Sequence, residues 1–378
     1  MKVLYIASEF GKTNGTNTNM MMHYKSIIKS VGADNVFTID LNSGGKQILT
    51  PKYRAYTKPE SKTEKLKRIV QLNTRYMSKE IAEQICEIII AEHINVVFVD
   101  DSILGTCIRT IKKKCPSVYV IAFYHDVKKN LYNQWLKERG VTFLKEYVPG
   151  LYNEKLTAQY ADANITLNKR ESNELMRAYQ KEATAELPVG IAAVPQYEST
   201  MTRTDTTRIL FVGAKYYPNL YGIRWFCQNV LPRITQKCEL TIVGRGMEVM
   251  KNELESDIVH VIGSVDSLTP YYKDADVVIA PIFDGAGMKV KSAEALAYGK
   301  RFYASKESLI GYIDNVPDDC RNLIVECNTP DEYIAAFSKI EQGTPKWNPP
   351  VREYFEEFFS EQAITRKMST ILNAGENK

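Results

Sequence analysis

Short apolar runs alternate with segments of helical periodicity along the chain. Residues 19–32 and 66–93 repeat apolar positions every three or four residues, which predicts helices. The first half also contains four short apolar runs that we interpret as strands: KVLYIAS (2–8), VFTIDL (36–41), NVVFVDDS (95–102) and VYVIAFYHD (118–126). Strands that are apolar throughout and separated by helices are typical of a parallel sheet covered on both faces.

The pattern is interrupted once and then restarts. Residues 186–207 lose their periodicity and become polar, which is typical of a linker. Six further strands are predicted after it: RILFVG (208–213), CELTIVG (238–244), IVHVIG (258–263), DVVIAP (276–281), RFYAS (301–305) and NLIVE (322–326). At 378 residues the chain is also long for a single core. We therefore predict two doubly wound α/β domains, at 1–190 and 208–350, with a linker at 191–207 and helices in 351–378 that cross back to the first domain.

Composition narrows the class of protein. Hydrophobic residues make up 44% and charged residues 25% of the chain, as in ordinary globular proteins, and no apolar run is long enough to span a membrane. The seven cysteines are scattered without a C-x-x-C pair, and residues 1–10 do not resemble a signal peptide, so we expect reduced thiols and a cytoplasmic protein. The four histidines are dispersed and no D-x-D pair stands in a suitable loop, so we expect no metal.

Charge is distributed unevenly between the two halves. Residues 1–200 carry 28 Lys and Arg against 21 Asp and Glu, a net charge of +7, whereas the remainder has a net charge of −3. The basic half can attract phosphates or an anionic membrane surface, and the alternative is a solvated basic face. Nucleic-acid binding is not expected, because no platform of aromatic and basic residues is evident and the second half is acidic.

Ligands of doubly wound sheets bind beyond the carboxyl ends of the strands, so the loops there hold the candidate site residues. The loop at 8–22 is rich in Gly, Asn and Thr, and Gly15 allows backbone amides to approach an anion closely. His125 ends an apolar strand, where a neutral imidazole can bind a sugar hydroxyl or move a proton. Lys215 follows the first strand of the second domain and can reach a phosphate. The alternatives are a loop that only caps a helix, a histidine bonded to backbone and a solvated lysine.

The stretch PIFDGAGMKVKSAEALAYGK (281–300) combines three kinds of residue that suit a nucleotide. Gly285 and Gly287 allow the chain to turn and expose its amides before a helix predicted at about 288–298. The helix dipole, Lys289 and Lys291 favour a negatively charged group at that end. Glu294 suits two vicinal hydroxyls, as on a ribose, and phosphate together with ribose indicates a nucleotide. The alternative is an ordinary Lys-Glu pair on a surface helix.

Several of these segments resemble the GT-B glycosyltransferases, and within them the retaining family 4, or "group 1". The resemblance covers nearly the whole chain and is densest from 208 to 305. It rests on RILFVGAKYYPNLYGIRWFCQNVLPRI, LTIVGRG, VHVIGSVDSLTPYYKDADVVIAP and above all GAGMKVKSAEALAYGK. In the first half, VIAFYHDV, NITLNKRESNEL and ELPVGI are similar to the acceptor domain of the family. The implied fold is α/β of GT-B type, with two Rossmann-like domains that face a central cleft.

The resemblance also implies roles for individual residues. Glu294 would hold the ribose, Lys289 and Lys291 would face the diphosphate and sugar, and His125 would contact the transferred sugar. Four residues are thereby implied to be catalytic: His125, Lys215, Lys289 and Glu294. Eight others are implied to bind the donor: Gly15, Gly213, Ser264, Val265, Gly285, Gly287, Met288 and Lys291.

Two departures from the family pattern affect the donor sugar more than the fold. Many members carry a glutamate eight residues before the one matching Glu294, and here that position is Ala286. Many also carry a second basic residue shortly after the one matching Lys215, where this chain has Tyr216, Tyr217, Pro218 and Asn219. A first acid that orients the sugar is therefore missing or replaced by amides of the glycine loop.

The expected function is transfer of a hexose-type sugar from a nucleoside-diphosphate sugar, with UDP-sugars favoured, to a glycan or lipid-linked acceptor. We expect retention of the anomeric configuration, no cofactor or metal, and a role in bacterial surface polysaccharide or glycoconjugate synthesis, with possible peripheral membrane contact through the basic first domain. One alternative is a non-catalytic GT-B subunit that binds sugar or a partner enzyme. Another is a nucleotide-sugar epimerase of the same fold.

Overall fold

The chain folds into two units, each with its own parallel sheet. The structure is a computed structural model that describes residues 1–8, 15–41, 52–56, 61–74, 77–192, 194, 205–285, 287–341 and 345–375. One unit comprises Met1–Pro188 and Ile364–Lys378, and the other comprises Val189–Ala363. Most of the predicted linker lies outside the described residues.

The first unit contains a seven-stranded sheet in which neighbouring strands are parallel. Its strand order is β3-β2-β1-β4-β5-β6-β7. The strands are β1 (Val3–Ala7), β2 (Val36–Leu41), β3 (Tyr53–Tyr56), β4 (Val96–Val99), β5 (Tyr119–Tyr124), β6 (Ala163–Thr166) and β7 (Ala185–Glu186). The apolar pattern predicted β1, β2, β4 and β5, and these strands are buried on both faces. The short edge strand β3 lies in a polar stretch and was not predicted.

Among the described residues of the first part of the chain, seven helices accompany this sheet. They are α1 (Gly15–Val31), α2 (Lys62–Val70), α3 (Lys79–Ala91), α4 (Gly105–Lys114), α5 (Lys128–Arg139), α6 (Leu144–Tyr160) and α7 (Lys169–Tyr179). Short 3-10 turns at Ala33–Asn35 and Gly140–Phe143 precede β2 and α6.

The single helix predicted at 66–93 is wrong, because the chain forms two helices there. Helix α2 ends at Val70, and Leu72 then adopts a positive φ of 54°, which a continuing right-handed helix does not allow. Helix α3 starts afresh after Ser78, whose side chain accepts a hydrogen bond from the Ile81 amide and so caps the new N-terminus.

The second unit contains a six-stranded parallel sheet with the order β10-β9-β8-β11-β12-β13. The strands are β8 (Thr207–Val212), β9 (Cys238–Val243), β10 (Val259–Gly263), β11 (Val277–Ala280), β12 (Arg301–Ala304) and β13 (Ile324–Glu326). All six were predicted, because strands covered on both faces by helices remain apolar along their length. The prediction of two doubly wound parallel sheets is therefore confirmed.

Seven helices lie wholly within the described residues of the second unit. They are α8 (Tyr217–Asn229), α9 (Lys251–Leu254), α10 (Thr269–Asp274), α11 (Val290–Ala297), α12 (Lys306–Leu309), α13 (Pro330–Phe337) and α14 (Pro349–Phe358). Further 3-10 turns lie at Leu231–Arg233, Met247–Met250 and Asp318–Cys320. Helix α11 is two residues shorter at its start than the predicted range of 288–298.

The last helix, α15 (Glu361–Asn373), begins in the second unit and belongs to the first unit from Ile364 onward. Ile364, Met368 and Leu372 recur every four residues along it and are fully buried. Ser369 lies 2.7 Å from Ser30 of α1, measured between the two hydroxyl oxygens. The chain thus contributes its end to the core of the unit in which it began.

Candidate functional site

The loops that follow β8 and β11 lie side by side at the carboxyl edge of the second sheet. The chain runs outward from β8 through β9 to β10, and then returns to place β11 on the other side of β8. Ligands of doubly wound sheets bind at such a switch point. Lys215 follows β8, while Lys289, Lys291 and Glu294 follow β11, so these predicted residues share one edge of one sheet.

Lys291 lies in the first turn of α11 and reaches across the switch point to α8. Its Nζ donates a hydrogen bond of 2.5 Å to Oδ1 of Asn219 and lies 4.9 Å from the centre of the Phe211 ring. Burial lowers the pKa of Lys291 to about 7, and the attraction of Glu294 offsets this only in part. The amine is therefore only partly protonated near neutral pH, and a bound anion would raise its pKa.

Lys289 immediately precedes α11 and is held in an ion pair. Its Nζ lies 2.8 Å from Oε1 of Glu307 in α12 and donates a hydrogen bond of 3.1 Å to the Gly287 carbonyl. The Tyr312 hydroxyl donates to the Lys289 carbonyl at 2.9 Å. The side chains of Lys289 and Glu307 are only 14% and 17% exposed, so solvent screens this pair less than a surface pair. A phosphate that binds Lys289 must share it with Glu307 or displace the carboxylate.

The loop between β11 and α11 turns at its two glycines. Gly285 and Gly287 have φ values of 131° and 66°, which glycine adopts without steric cost. The Gly285 amide donates a hydrogen bond of 2.7 Å to Oδ1 of Asp284, and Met288 is buried. Ala286, the position where many family members carry a glutamate, lies outside the described residues. The turn places the start of α11 at the edge of the sheet.

Glu294 lies one turn into α11 and is mostly buried beside two tyrosines. Its Oε2 accepts a hydrogen bond of 3.2 Å from the Tyr272 hydroxyl. The Tyr272 ring stacks on Tyr298 with a centroid distance of 4.3 Å and an angle of 5°, and the Tyr298 hydroxyl lies 2.7 Å from Oγ1 of Thr269. Burial raises the pKa of Glu294, against the lowering effects of Tyr272 and Lys291. The carboxyl group can accept hydrogen bonds from ligand hydroxyls.

Lys215 is exposed in the loop after β8. Its amide donates a hydrogen bond of 2.8 Å to the Arg245 carbonyl, which joins this loop to the loop after β9. A Cβ on Gly246 would lie 2.7 Å from Cβ of Lys215, so the two loops pack closely because Gly246 lacks a side chain. Gly213 is buried at the end of β8, where its amide donates to the Val243 carbonyl at 2.9 Å.

Ser264 and Val265 lie in the loop after β10, at the same edge of the sheet. Ser264 is exposed and Val265 is half-buried. Strand β10 is two places from β8 in the sheet, so these residues lie farther from Lys291 than Lys215 does. They remain predicted contacts of a nucleotide base.

Two predicted residues, Gly15 and His125, belong to the first unit. Gly15 is the first residue of α1, and residues 9–14 of the predicted loop lie outside the described residues. His125 follows β5 and is 11% exposed, with its Nε2 3.0 Å from Oδ1 of Asp100. Asp100 follows β4 and is fully buried. Burial alone would raise the pKa of Asp100, but the His23 and His125 imidazoles outweigh it and hold that pKa well below its usual range.

Several residues that were not predicted lie beside the predicted ones. Tyr272 contacts Glu294, Asn219 contacts Lys291, Glu307 contacts Lys289, and Asp100 with His23 contacts His125. The hydrogen-bonded pairs Tyr272–Glu294, Asn219–Lys291, Glu307–Lys289 and His23–Asp100 are separated by 18 to 77 residues in sequence. Asp100 lies inside the run NVVFVDDS (95–102) that was predicted as a strand, and nothing in the sequence marked it as a contact of His125.

The described residues contain neither a candidate metal cluster nor a candidate membrane-spanning helix. No group of three or more His, Cys, Asp and Glu among them is arranged to hold a metal ion. None of the helices in the described part of the chain is both long and apolar enough to cross a membrane.

Comparison with known proteins gives a family match in sequence for most of the second unit and a match in fold for nearly the whole chain. Residues 206–342 match the family profile "Glycosyl transferases group 1". The lipopolysaccharide outer core galactosyltransferase WaaB, in its apo form, has a TM-score of 0.70 at 14% identity, with 99% of each chain covered. HepE of Anabaena in complex with UDP-glucose has a TM-score of 0.62 at 12% identity and covers 99% of this chain and 100% of that one.

A curated relative is an uncharacterized 44.6 kDa protein in the cps region of Klebsiella pneumoniae. It is 23% identical over 171 residues, which cover 42% of this chain and 42% of that protein. The matched segment therefore spans less than half of that relative's length.

Proposed function

We propose that the chain transfers a sugar from a nucleoside-diphosphate sugar, because residues 206–342 match the group 1 glycosyltransferase profile and the chain has the GT-B fold. The observation that carries the proposal is the arrangement on α11. Lys291 lies at the switch point of the sheet, and Glu294 with its Tyr272 partner lies one turn further on. The lysine suits a diphosphate, and the carboxylate suits the hydroxyls of a ribose.

Stabilisation of the leaving group is the chemistry that this site supports best. Negative charge grows on the diphosphate as the glycosidic bond breaks, and positive groups already in place lower the barrier most. Lys289, Lys291, Lys215 and the N-terminus of α11 are the groups we assign to this role. Because these residues supply positive charge to the diphosphate, we propose that turnover needs no divalent metal.

We further propose that the donor is a UDP-hexose and that the anomeric configuration is retained. HepE, which shares this fold, is described with UDP and with UDP-glucose. The acceptor hydroxyl would attack from the face of the leaving group and pass its proton to a phosphate oxygen, with His125 bound to the transferred sugar. A product of inverted configuration, seen by NMR of the new linkage, would refute this course.

The acceptor that we propose is a glycan or a lipid-linked glycan of a bacterial surface polysaccharide. WaaB is named as a lipopolysaccharide galactosyltransferase, and the Klebsiella pneumoniae relative is encoded in a cps region. Both descriptions favour a role in surface polysaccharide synthesis.

A surface of the first unit suits peripheral contact with an anionic membrane. Helix α2 packs beside α6, and these helices with the turn before α6 expose five apolar side chains: Leu66, Val70, Val141, Leu144 and Val148. Helix α2 carries basic residues at positions 62, 65, 67 and 68, α6 carries them at 145 and 155, and the end of α5 carries them at 137 and 139. Apolar and basic side chains together favour binding to anionic lipid. Co-sedimentation with phosphatidylcholine vesicles should therefore require added phosphatidylglycerol, and equal binding to both would argue against charge attraction.

The proposed function is tested first by binding of nucleoside diphosphates. We would measure thermal shifts with UDP, GDP, ADP, dTDP and CMP, with magnesium and with EDTA. Stabilisation by one diphosphate in both media supports the proposal and identifies the donor base. No stabilisation by any of them would favour a non-catalytic subunit of the same fold.

The role of Glu294 is tested by comparing UDP with 2′-deoxy-UDP. In the wild-type chain the ribose 2′-hydroxyl should improve binding, and Glu294→Gln should lose about ten- to a hundredfold in affinity for UDP. Glu357→Gln, on the exposed face of α14 in the same unit, is the matched control and should bind as the wild type does. If Glu294→Gln still prefers UDP over the deoxy form to the same extent, the ribose assignment is wrong.

Turnover separates the transferase from its enzymatic rival. Release of UDP from a UDP-sugar should depend on an acceptor, because an acceptor hydroxyl takes the sugar. Conversion of the donor without an acceptor and without release of UDP would indicate a nucleotide-sugar epimerase.

A further inference from the structure

The buried carboxylate of Asp100 contacts three side chains near the switch point of the first sheet. Strands β1 and β4 are neighbours there, and β5 follows β4. Oδ2 of Asp100 accepts a hydrogen bond of 2.6 Å from the Tyr5 hydroxyl and lies 2.9 Å from Nδ1 of His23. Oδ1 of Asp100 lies 3.0 Å from Nε2 of His125. Tyr5, His23 and Asp100 are fully buried, so His125 is the one member of this group with measurable exposure.

Nε2 of His125 and Oδ1 of Asp100 lie 3.0 Å apart. Both atoms are buried, and neither has an aligned hydrogen-bond partner among the described residues. The low pKa of Asp100 keeps its carboxyl group ionised, and an ionised carboxylate accepts hydrogen bonds without donating. A neutral His125 therefore satisfies both atoms only as the tautomer with its proton on Nε2.

Aromatic rings hold both imidazoles in place. Phe123 contacts His23 edge to face at 4.4 Å and His125 at 4.8 Å, measured between ring centroids. Phe98 contacts His23 from another side at 5.8 Å. His23 and His125 are nearly parallel, at 23° and 6.1 Å. Rotation of either imidazole would have to displace one of these rings, so Nε2 of His125 stays close to Asp100.

We propose that Asp100 is a positioning residue that holds His125 as the Nε2-protonated tautomer, with His23 and Tyr5 fixing Asp100. The two nitrogens of an imidazole point in widely different directions, so Nδ1 of His125 is then a hydrogen-bond acceptor facing away from the carboxylate. Such an acceptor suits a hydroxyl group of the transferred sugar. This role in transfer rests on the proposed function, whereas the tautomer itself does not.

The tautomer can be measured directly by NMR. The chain has four histidines, so long-range ¹H–¹⁵N spectra of protein with ¹⁵N-labelled histidine show four imidazoles. A His125→Gln variant assigns the signals of His125. We expect the wild-type signals of Nε2–H and a bare Nδ1 at a pH where the ring is neutral. If the wild-type protein shows the Nδ1–H tautomer of His125, the proposal is overturned, and no variant of Asp100 is needed for that conclusion.

Asp100→Asn tests the cause of the tautomer, because its amide nitrogen can donate to Nε2 and remove the preference. We expect a shift toward the Nδ1–H form and a loss of kcat of about 10- to 100-fold, less than when an aspartate orients a general base. Binding of UDP, which we assign to the second unit, should stay within about twofold of the wild type. Tyr5→Phe serves if Asp100→Asn does not fold, and it should show the same changes more weakly.

Asp101→Asn is the matched control, since Asp101 is also a buried aspartate after β4 but accepts hydrogen bonds from Ser8 and the Ile103 amide. It should leave the His125 tautomer unchanged. An unchanged His125 tautomer in Asp100→Asn would overturn the proposal even if turnover fell. If the wild-type chain transfers no sugar at all, the proposed function fails, and the NMR result still decides whether Asp100 orients His125.

Discussion

At the scale of single residues, the charge of Lys291 is sensitive to what is bound beside it. Burial lowers its pKa to about 7, so above neutral pH the free protein holds it largely as the neutral amine. A diphosphate next to Nζ would favour the ammonium form and raise the pKa. Binding of the nucleotide is then coupled to uptake of one proton.

The pH dependence of binding follows from this coupling. Between pH 7.5 and 9 the free amine must be protonated as the ligand binds, so the affinity for UDP should fall by up to about tenfold per pH unit. The fall should stop once the pH passes the raised pKa of the complex. Isothermal titration calorimetry in two buffers of different ionisation enthalpy measures the proton uptake directly.

Lys291→Arg is the control for this prediction, because arginine is always protonated in this pH range. Its UDP affinity should change little from pH 7.5 to 9, and its proton uptake should be near zero. Equal proton uptake by the wild type and Lys291→Arg would show that another group titrates and that Lys291 does not bind the diphosphate.

At the scale of elements, the candidate site depends on how closely α8 packs against the end of β11. A Cβ added to Gly222 of α8 would lie 1.9 Å from the carbonyl oxygen of Pro281, the residue after β11. This close packing brings Asn219, in the first turn of α8, within a hydrogen bond of Lys291 in α11. Gly222 thus has a packing role that no other residue type can fill without movement of the helix.

Gly222→Ala therefore has two opposing effects on stability. Alanine favours a helix over glycine by about 0.5–1 kcal/mol, but overpacking costs about 1–3 kcal/mol. We expect the second effect to prevail, because the contact is with backbone that cannot rotate away. Urea unfolding should show a lower free energy of unfolding, and UDP binding should weaken as Asn219 and Lys291 move apart.

Gln228→Ala provides the comparison, since Gln228 is exposed in the same helix. It should change the free energy of unfolding by less than about 0.5 kcal/mol. If Gly222→Ala is as stable as the wild type or more stable, α8 can shift without cost. The packing of α8 would then not position Asn219 beside Lys291.

Helices and strands could be predicted from the sequence where the local pattern of apolar residues reflects burial. Contacts between those elements could not be predicted. Strands such as β4 and β11 are apolar along their length because helices cover both faces of their sheets. The break between α2 and α3 depends on the backbone of Leu72 and the cap at Ser78, while apolar periodicity continues on both sides of it. The ion pair of Lys289 with Glu307 joins different elements, so no local pattern in the sequence could indicate it.

At the scale of the whole molecule, the path of the chain links its end to the first unit. Helix α15 carries Ile364, Met368 and Leu372 into the core of that unit, and Thr365 and Ser369 contact Ser26 and Ser30 of α1. The predicted nucleotide-binding lysines and Glu294 belong to the second unit, whereas Gly15, also predicted to bind the donor, belongs to the first. A change in α15 can therefore separate stability of the first unit from binding of the nucleotide.

Met368→Ala should lower the thermal stability of the first unit without preventing nucleotide binding. Removing a fully buried methionine side chain leaves a cavity and costs about 2–5 kcal/mol. Arg366→Ala, on the exposed face of the same helix, should be nearly neutral. Differential scanning calorimetry should show an earlier transition for Met368→Ala, whereas UDP should still bind with an affinity close to that of the wild type at 25 °C. Loss of UDP binding in the folded Met368→Ala variant would show that the first unit, in which Gly15 lies, contributes more to nucleotide binding than the residues of α11 and β8 do.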